Sequence, residues 1–496
     1  MKMFNPEPKS GLRQSDFRKI CENGFGDRYN GYAFSMAWFQ DYLYVGTSRA
    51  NLCLLKFGMP YVTIDQWPVE CPYLNYTPEF EHNCARGEIW RYYPPTEQWE
   101  RVYQAPLIQD DTGIEFSRDL GYRGMVVFSG KSDTKPALYV STWSRSRSSG
   151  PDILRSEDGK TFIPTPKPKF NTQGQDLTFN AIRVLVPFKG KLYTAPTGAA
   201  KGNVNLAGVS LVYESSDPAK GEWRCVNEPG FGGLPDVATI YEMAVMGDYL
   251  YVGTAGLNGF QIWRTTGEGN PPYHWEQVMT QGAKRGALNQ VPGSMVVFKN
   301  ALYIGTAIQN GGNDHKNKIG PGASEIIRLH PDNSWDIIVG TPREGKISES
   351  GMSPGFNNFF CGYLWRMGIH DGWLYAGTMD WTIILRYTQL ENRPLKVAQL
   401  IAQADVEEFI KFKGGFELWR TYDGENWLPV TRTGFGNPYN YGCRNIFSTP
   451  YGLFIGTANP FGPRVATRLS KNWEWTYTDN PAGGLEVWQS TISHFI

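Results

Sequence analysis

Net charge is what this sequence most plainly lacks. Lys and Arg total 48, Asp and Glu total 48, and charged residues are only 19% of the 496. A balanced chain is a poor candidate for coating nucleic acid or an anionic membrane. No apolar run reaches eighteen residues, so no transmembrane segment is expected. Met1–Glu7 lacks the apolar core of a signal peptide. The seven cysteines show no paired spacing, and reduced thiols in a cytoplasmic protein are the simplest expectation. Six scattered histidines give little support to a histidine-based metal site, and Cys53, Cys71, His82 and Cys84 match no zinc spacing. There is no G-x-G-x-x-G after a strand, no P-loop, no H-E-x-x-H and no G-x-S-x-G. The common nucleotide-binding, zinc-protease and serine-hydrolase readings therefore have no foothold.

What is abundant is turn formers and aromatics: 55 Gly, 33 Pro and 14% Phe, Trp and Tyr. Such a composition suits an all-β chain with short hairpins. Seven times a strand-like phrase recurs: LYVGT at Leu43, LYVST at Leu138, LYTAP at Leu192, LYVGT at Leu250, LYIGT at Leu302, LYAGT at Leu374 and LFIGT at Leu453. The intervals between them are 95, 54, 58, 52, 72 and 79 residues. Strand-type repeats with a base period near fifty predict a β-propeller of seven blades, spanning 1–496 as one domain.

Each repeat has a strand before the phrase, such as MVVF at Met125 and Met295. A hairpin follows it, such as EIWRY at Glu88 or ELWRT at Glu417, and its fourth strand is expected to carry a Trp (Trp99, Trp275, Trp335, Trp427). The ends are incomplete in a complementary way. Phe17–Glu22 reads as an orphan fourth strand and Leu485–Gln489 as an orphan third strand. Pairing the two predicts a ring whose N-terminal strand completes the last blade, removing an open sheet edge. Insertions are expected in blades 1 and 6, at about 48–87 and 379–416. Within the second, Leu395–Phe412 has amphipathic helical spacing, and Thr382–Tyr387 is ambiguous between insertion and third strand.

In a propeller, the segments after each Gly-Thr and the inter-blade loops share one face. They diverge here, with Ser48-Arg49, Trp143-Ser144-Arg145 and Met379-Asp380-Trp381 among them. Arg49 and Asp380 stand in blades flanking blade 7, and the loop into blade 7 carries Tyr439, Tyr441 and Arg444. An ordinary ion pair between Arg49 and Asp380, and packing roles for the two tyrosines, stay open beside a catalytic reading. Asp314 lies in a loop that either stays in solvent or leans into the funnel. Trp143, Trp381, Phe359, Phe360 and Met352 are candidates for an apolar wall.

The GTSR phrase at Gly46, the GTMD phrase at Gly377 and the Tyr-rich GFGNPYNYG loop at Gly434 together resemble the cyanobacterial alkyl-halide alkylating enzymes, which include the cylindrocyclophane-forming enzyme. The resemblance spans most of the chain. The family's calcium-binding nonapeptides are missing here, so that module does not carry over. The resemblance implies coupling of a secondary alkyl chloride to a resorcinol ring carbon or a carboxylate oxygen. It would give Arg49 and Tyr441 the chloride-activating roles and Asp380 the place beside the nucleophile. Asp314, Tyr439, Arg444, Trp143, Trp381, Met352 and Phe359 would bind substrate. The partners implied are an alkylresorcinol and an alkyl chloride, with no cofactor expected and a carboxylate-bound calcium left open. The competing reading is a non-catalytic propeller that recognises a peptide, glycan or protein.

Overall fold

The Gly of the Gly-Thr phrase is there because the next group of strands comes too close for a side chain. In the computed structural model, a Cβ on Gly46 would lie 2.8 Å from the side chains of Tyr122 and Met125. On Gly305 it would meet Leu364 at 2.5 Å, and on Gly377 it would meet Cys443 at 2.4 Å. On Gly456 it would meet Met36 and Ala33 at 2.5 and 2.6 Å, which joins the last repeat to the first. The Thr that follows has a different task. Thr47, Thr306, Thr378 and Thr457 accept the backbone N–H of Glu88, Glu325, Glu417 and Glu486, the residue that opens the third-strand segment of the same repeat. The Tyr or Phe of the phrase is buried in every repeat.

The structure describes residues 10–491 apart from 59–63, 65, 146–147, 168–170, 173–174, 177–178, 199–207, 234–237, 389–394, 396–398, 400–404 and 469–473. Among the described residues, antiparallel pairing sorts the principal strands into seven units of four. Unit 1 is Asn30–Phe39, Tyr42–Arg49, Glu88–Tyr93 and Gln98–Gln104. Unit 2 is Asp119–Phe128, Ala137–Ser144, Ile153–Ser156 and Ile163–Pro164. Unit 3 is Ala181–Phe188, Lys191–Thr197, Tyr213–Asp217 and Glu222–Cys225. Unit 4 is Thr239–Met246, Tyr249–Ala255, Gln261–Thr265 and Glu276–Met279. Unit 5 is Val291–Phe298, Ala301–Ala307, Ile326–Leu329 and Trp335–Val339, with Ser348–Met352 added in parallel. Unit 6 is Cys361–His370, Trp373–Asp380, Leu418–Thr421 and Leu428–Thr431.

Unit 7 draws on both ends of the chain. Gly442–Thr449, Gly452–Ala458 and Val487–Ser490 are followed by Phe17–Cys21, with Phe17 opposite Ser490 and Lys19 opposite Trp488. The expected pairing of the two orphan segments is therefore present. The first strands of units 1 to 7 pack each on the next, and that of unit 7 packs on that of unit 1. The cycle is made by packing, since no hydrogen-bonded sheet closes on itself.

A second device, repeated in units 1, 4, 6 and 7, holds the unit to the loop before it. Glu88, Glu417 and Glu486 accept the indole N–H of the Trp two residues on, and Gln261 accepts that of Trp263. A Phe from the preceding loop stacks on that Trp: Phe25 on Trp90, Phe231 on Trp263, Phe356 on Trp419 and Phe435 on Trp488, with centroids 4.5–4.7 Å apart. Loop asparagines Asn30, Asn289, Asn358 and Asn440 donate to Glu88, Glu325, Glu417 and Glu486. The fourth-strand tryptophans pack edge-on to the same loop rings in units 1, 4 and 6.

Two sequence expectations change. Cys53 and Cys71 form a disulfide, so the expectation of seven reduced thiols fails there. The pair closes an 18-residue span of the unit 1 insertion, whose described residues include helices α1 (Asn51–Gly58) and α2 (Pro78–Asn83). Thr382–Tyr387 is a 3-10 helix, and Leu418–Thr421 is the third strand of unit 6. The expected helix at Leu395–Phe412 falls partly outside the described residues; its described part is α3, Val406–Lys413. No helix among the described residues is long and apolar enough to cross a membrane.

Candidate functional site

Every first strand carries a β-bulge at the same depth. The ladder skips Phe34 in unit 1, Arg123 in unit 2, Arg183 with Val184 in unit 3, and Tyr241 in unit 4. It skips Gly293, Trp365 and Arg444 in units 5, 6 and 7. A bulge turns one residue out of the ladder and re-aims its side chain. Because the seven strands pack in a cycle, the skipped residues and their neighbours converge. They line a half-open cavity of about 230 Å³ with contributions from all seven units.

The wall of this cavity is unevenly charged. It carries four guanidinium groups, from Arg123, Arg183, Arg366 and Arg444, and a single carboxylate, from Glu242. Arg366 reaches Glu242 at 3.5 Å. Arg183 donates through Nε to the Tyr241 carbonyl at 2.7 Å and lies 3.4 Å over its ring. Arg444 lies over Phe34 and Trp365, at 4.7 and 5.3 Å. Burial, with Arg366 and Arg183 nearby, pushes the Arg444 guanidinium down to about 9. Burial, then Arg183 and Arg444, holds Arg123 well below the ordinary arginine range.

An aromatic collar lies against this layer. Tyr32 and Tyr441 hydrogen-bond through their hydroxyls. Trp365 packs edge-on to Tyr32, Tyr363 and Tyr441, and Trp143 edge-on to Phe34. Phe461 closes on Tyr441 at 5.6 Å. Burial raises both hydroxyls of the Tyr32–Tyr441 pair, so both stay protonated and at least one remains a donor. The collar also packs within the apolar cluster that includes α1, α2 and α3 residues.

No protein-family model matches this chain, and no curated protein matches it. Among solved structures, a polysaccharide lyase aligns over 98% of this chain and 99% of its own, at 9% identity and a TM-score of 0.43. The GH74 xyloglucanase from Xanthomonas campestris aligns over 94% of this chain at 14% identity and a TM-score of 0.41. A puromycin-hydrolysing peptidase of Mycobacterium tuberculosis aligns over 96% at 11% identity and the same TM-score. This chain spans just over half the length of the last two. Likenesses at this level give it neither a family nor an activity.

The site residues expected from sequence fall into three places. Tyr441, Arg444 and Trp143 meet at the collar and cavity, as described. Arg49 and Asp380 occupy equivalent positions at the ends of the second strands of units 1 and 6, and each belongs to its own unit. Arg49 is buried; it bonds Asp27 at 2.7 Å and the carbonyls of Asn83 and Cys84, and approaches Glu88 at 3.5 Å. It thereby ties α2 to unit 1. Asp380 is fully buried. It accepts from Asn358 and from the Thr382 backbone, each at 2.8 Å, and Asn358 links it to Glu417. Burial, opposed by the Thr382 bonds, pushes its carboxyl up to about 7. Its backbone N–H donates to the Tyr441 carbonyl at 2.7 Å, which places it directly behind the collar.

The others lie further out. Tyr439 accepts from Arg386 at 2.7 Å and packs on Phe461. Trp381 and Phe359 group with Phe360 and Phe409 of α3. Asp314 is buried in its own loop, accepting from Gln290 and Asn317 rather than entering the cavity. Met352 ends the added strand of unit 5 and packs between units 5 and 6, away from the collar. Among the described residues, no group of three metal-ligating side chains is present.

The raised Asp380 carboxyl gives a pH signature. It takes up a proton on folding between about pH 4 and 7, so its contribution to stability is full below about pH 4 and is lost as pH rises through about 7. Asp119, raised by burial to about 6, acts in the same direction. Denaturant midpoints measured from pH 4 to 8 should fall less steeply in Asp380→Asn than in the unsubstituted protein. Parallel profiles would mean that Asp380 does not hold that proton.

Proposed function

We propose that the chain is a seven-bladed β-propeller, the seven units being its blades, and that it is an enzyme. The proposed reaction alkylates a resorcinol-type nucleophile with a secondary alkyl chloride at the aromatic collar. The observation that carries this reading is the buried Tyr32–Tyr441 hydroxyl pair, set among aromatic rings against an arginine-lined cavity.

The chemistry asks for what that arrangement can supply. The carbon–chlorine bond breaks with its electron pair leaving on chloride, and charge grows in the transition state. A phenolic O–H from Tyr441 and the Arg444 guanidinium would stabilise it. The ring carbon of the nucleophile supplies the pair for the new carbon–carbon bond. The resorcinol O–H gives its proton to a carboxylate, and once the new bond has formed the ring proton moves from carbon back to that oxygen, restoring the aromatic phenol, so that one proton and one chloride are lost overall. Asp380, with its carboxyl near 7, suits the base role once the substrate hydroxyl displaces Asn358. Arg49 serves here as the anchor of α2 rather than as a halide ligand, because its hydrogen bonds are already directed at Asp27 and α2. The apolar collar keeps water from competing for the alkyl chloride.

Incubation with an alkylresorcinol and a secondary alkyl chloride should release chloride and give the adduct by mass spectrometry. Tyr441→Phe should lower that rate by roughly 100-fold, the loss typical of one removed donor to a developing anion. Absence of adduct with the unsubstituted protein would refute the reaction. The burial of Asp380 behind Asn358 favours a second reading, in which the collar binds its ligand without turnover. Saturable binding of the alkylresorcinol with no adduct over many hours would select it.

A further inference from the structure

The arginine layer is not explained by packing. A guanidinium left in a protein interior without a counter-ion is costly, and buried arginines are ordinarily paired with carboxylates. Arg444 is 6% exposed and makes no ion pair or hydrogen bond among the described residues. Its Nε is buried without a partner, and its neighbours are the faces of Phe34 and Trp365. It shares one cavity with three more guanidinium groups and one carboxylate, which Arg366 already engages. The bulges put them there: Arg123, Arg183 and Arg444 are the residues that leave the ladder in their strands.

We propose that the axial cavity is an oxyanion site, built to take a phosphate, sulfate or carboxylate group on the forks of Arg444 and its neighbouring arginines. Planar guanidinium groups suit oxyanions because two N–H donors can meet two oxygens at once. The cavity is large enough for such a group. The collar beside it would take an apolar body attached to the anion, so the oxyanion arrives either as a free ion or as the head of an amphiphilic ligand. The site stands on the charge arrangement alone and does not depend on the alkylation reading.

Isothermal titration calorimetry in Tris chloride at pH 7.5 tests it with two probes, inorganic phosphate and phenyl phosphate. One saturable site per chain is expected, with chloride at matched ionic strength giving none. A phenyl phosphate affinity tenfold or more above that of phosphate identifies a ligand-borne oxyanion; equal affinities identify a free ion. Arg444→Met should weaken binding at least tenfold, while Arg444→Lys should retain a measurable part of it. In oxyanion-free buffer Arg444→Met should melt at or above the temperature of the unsubstituted protein, because it removes an uncompensated charge. A merely structural arginine would give a lower melting temperature. The proposal is overturned if neither probe binds saturably, or if Arg444→Met and Arg366→Met both bind as the unsubstituted protein does.

Discussion

Removal of residues 1–22 should leave a chain that does not reach the native state. Phe17–Cys21 supplies the fourth strand of unit 7, and nothing else in the described chain can replace it. Its loss strips the partner from Val487–Ser490 and exposes a strand edge beside buried Val487, Leu453 and Phe454. Phe17 and Cys21 are buried, and Phe17 packs on Phe435. Each large apolar side chain lost from such a site forfeits about 1.5–3 kcal/mol. The Ile20 carbonyl would no longer accept from Trp99, and Gly11 and Leu12 would no longer accept from Arg420 of unit 6. Units 1, 6 and 7 would lose contacts together. The combined loss is comparable with the about 5–15 kcal/mol that holds a typical domain. Expression of the truncated chain should give aggregate, or a species with weakened β-type circular dichroism. A soluble monomer with the melting temperature of the full chain would contradict the pairing of the two ends.

Glu486→Ala should cost about 3–5 kcal/mol, the range for removing one partner from a buried charged network. Glu486 is 3% exposed and collects four donors: Asn440 at 2.7 Å, Trp488 at 2.9 Å, Asn437 at 3.0 Å and Lys19 at 3.4 Å. These come from the loop between units 6 and 7, from the third strand of unit 7, and from the N-terminal strand. Alanine leaves the indole and amide N–H groups without an acceptor, and each such buried donor costs about 1–3 kcal/mol in its own right. Glu486→Gln should lose less, because one acceptor oxygen survives. The check is equilibrium denaturation of the three proteins. A loss under about 1 kcal/mol for alanine would mean that the repeated carboxylate is incidental.

The repeats made the strand groups legible because the same packing problem recurs seven times. A Gly or other small residue that faces the next first strand, a Thr that receives the third-strand segment and an aromatic ring in the core vary little from repeat to repeat, so their spacing shows. The pairing of the chain ends was legible for the same reason. The carboxylate device stands in the sequence as Glu-x-Trp at Glu88, Glu417 and Glu486, with Gln261 replacing the Glu in unit 4, and a Phe-bearing loop before each. Cys53 and Cys71 gave no signal, since an 18-residue gap inside an insertion has no repeat to compare with.

The candidate site is less legible in the sequence. Arg49 and Asp380 both follow Gly-Thr at the end of a second strand, where each is buried and hydrogen-bonded. Arg444 matters for its register in the first strand of unit 7 rather than for the loop that precedes it. In six of the seven units the skipped residue lies ten positions before the Tyr or Phe of the phrase: Phe34, Arg183, Tyr241, Gly293, Trp365 and Arg444. A longer hairpin in unit 2 hides Arg123 from that count. That register returns Arg183 and Arg444 directly, while Arg366 and Glu242 lie one place nearer the phrase. Single motifs do not show the layer, because it is assembled from one residue per repeat and repeats nothing itself.

The most direct measurement is anomalous diffraction from crystals soaked in selenate, which mimics sulfate and carries a strong scatterer. The expected result is a peak inside the axial cavity beside Arg444, bounded by first strands from all seven units and absent in Arg444→Met. Selenate at exposed arginines with the axial cavity left vacant, or first strands that do not surround a common cavity, would contradict it.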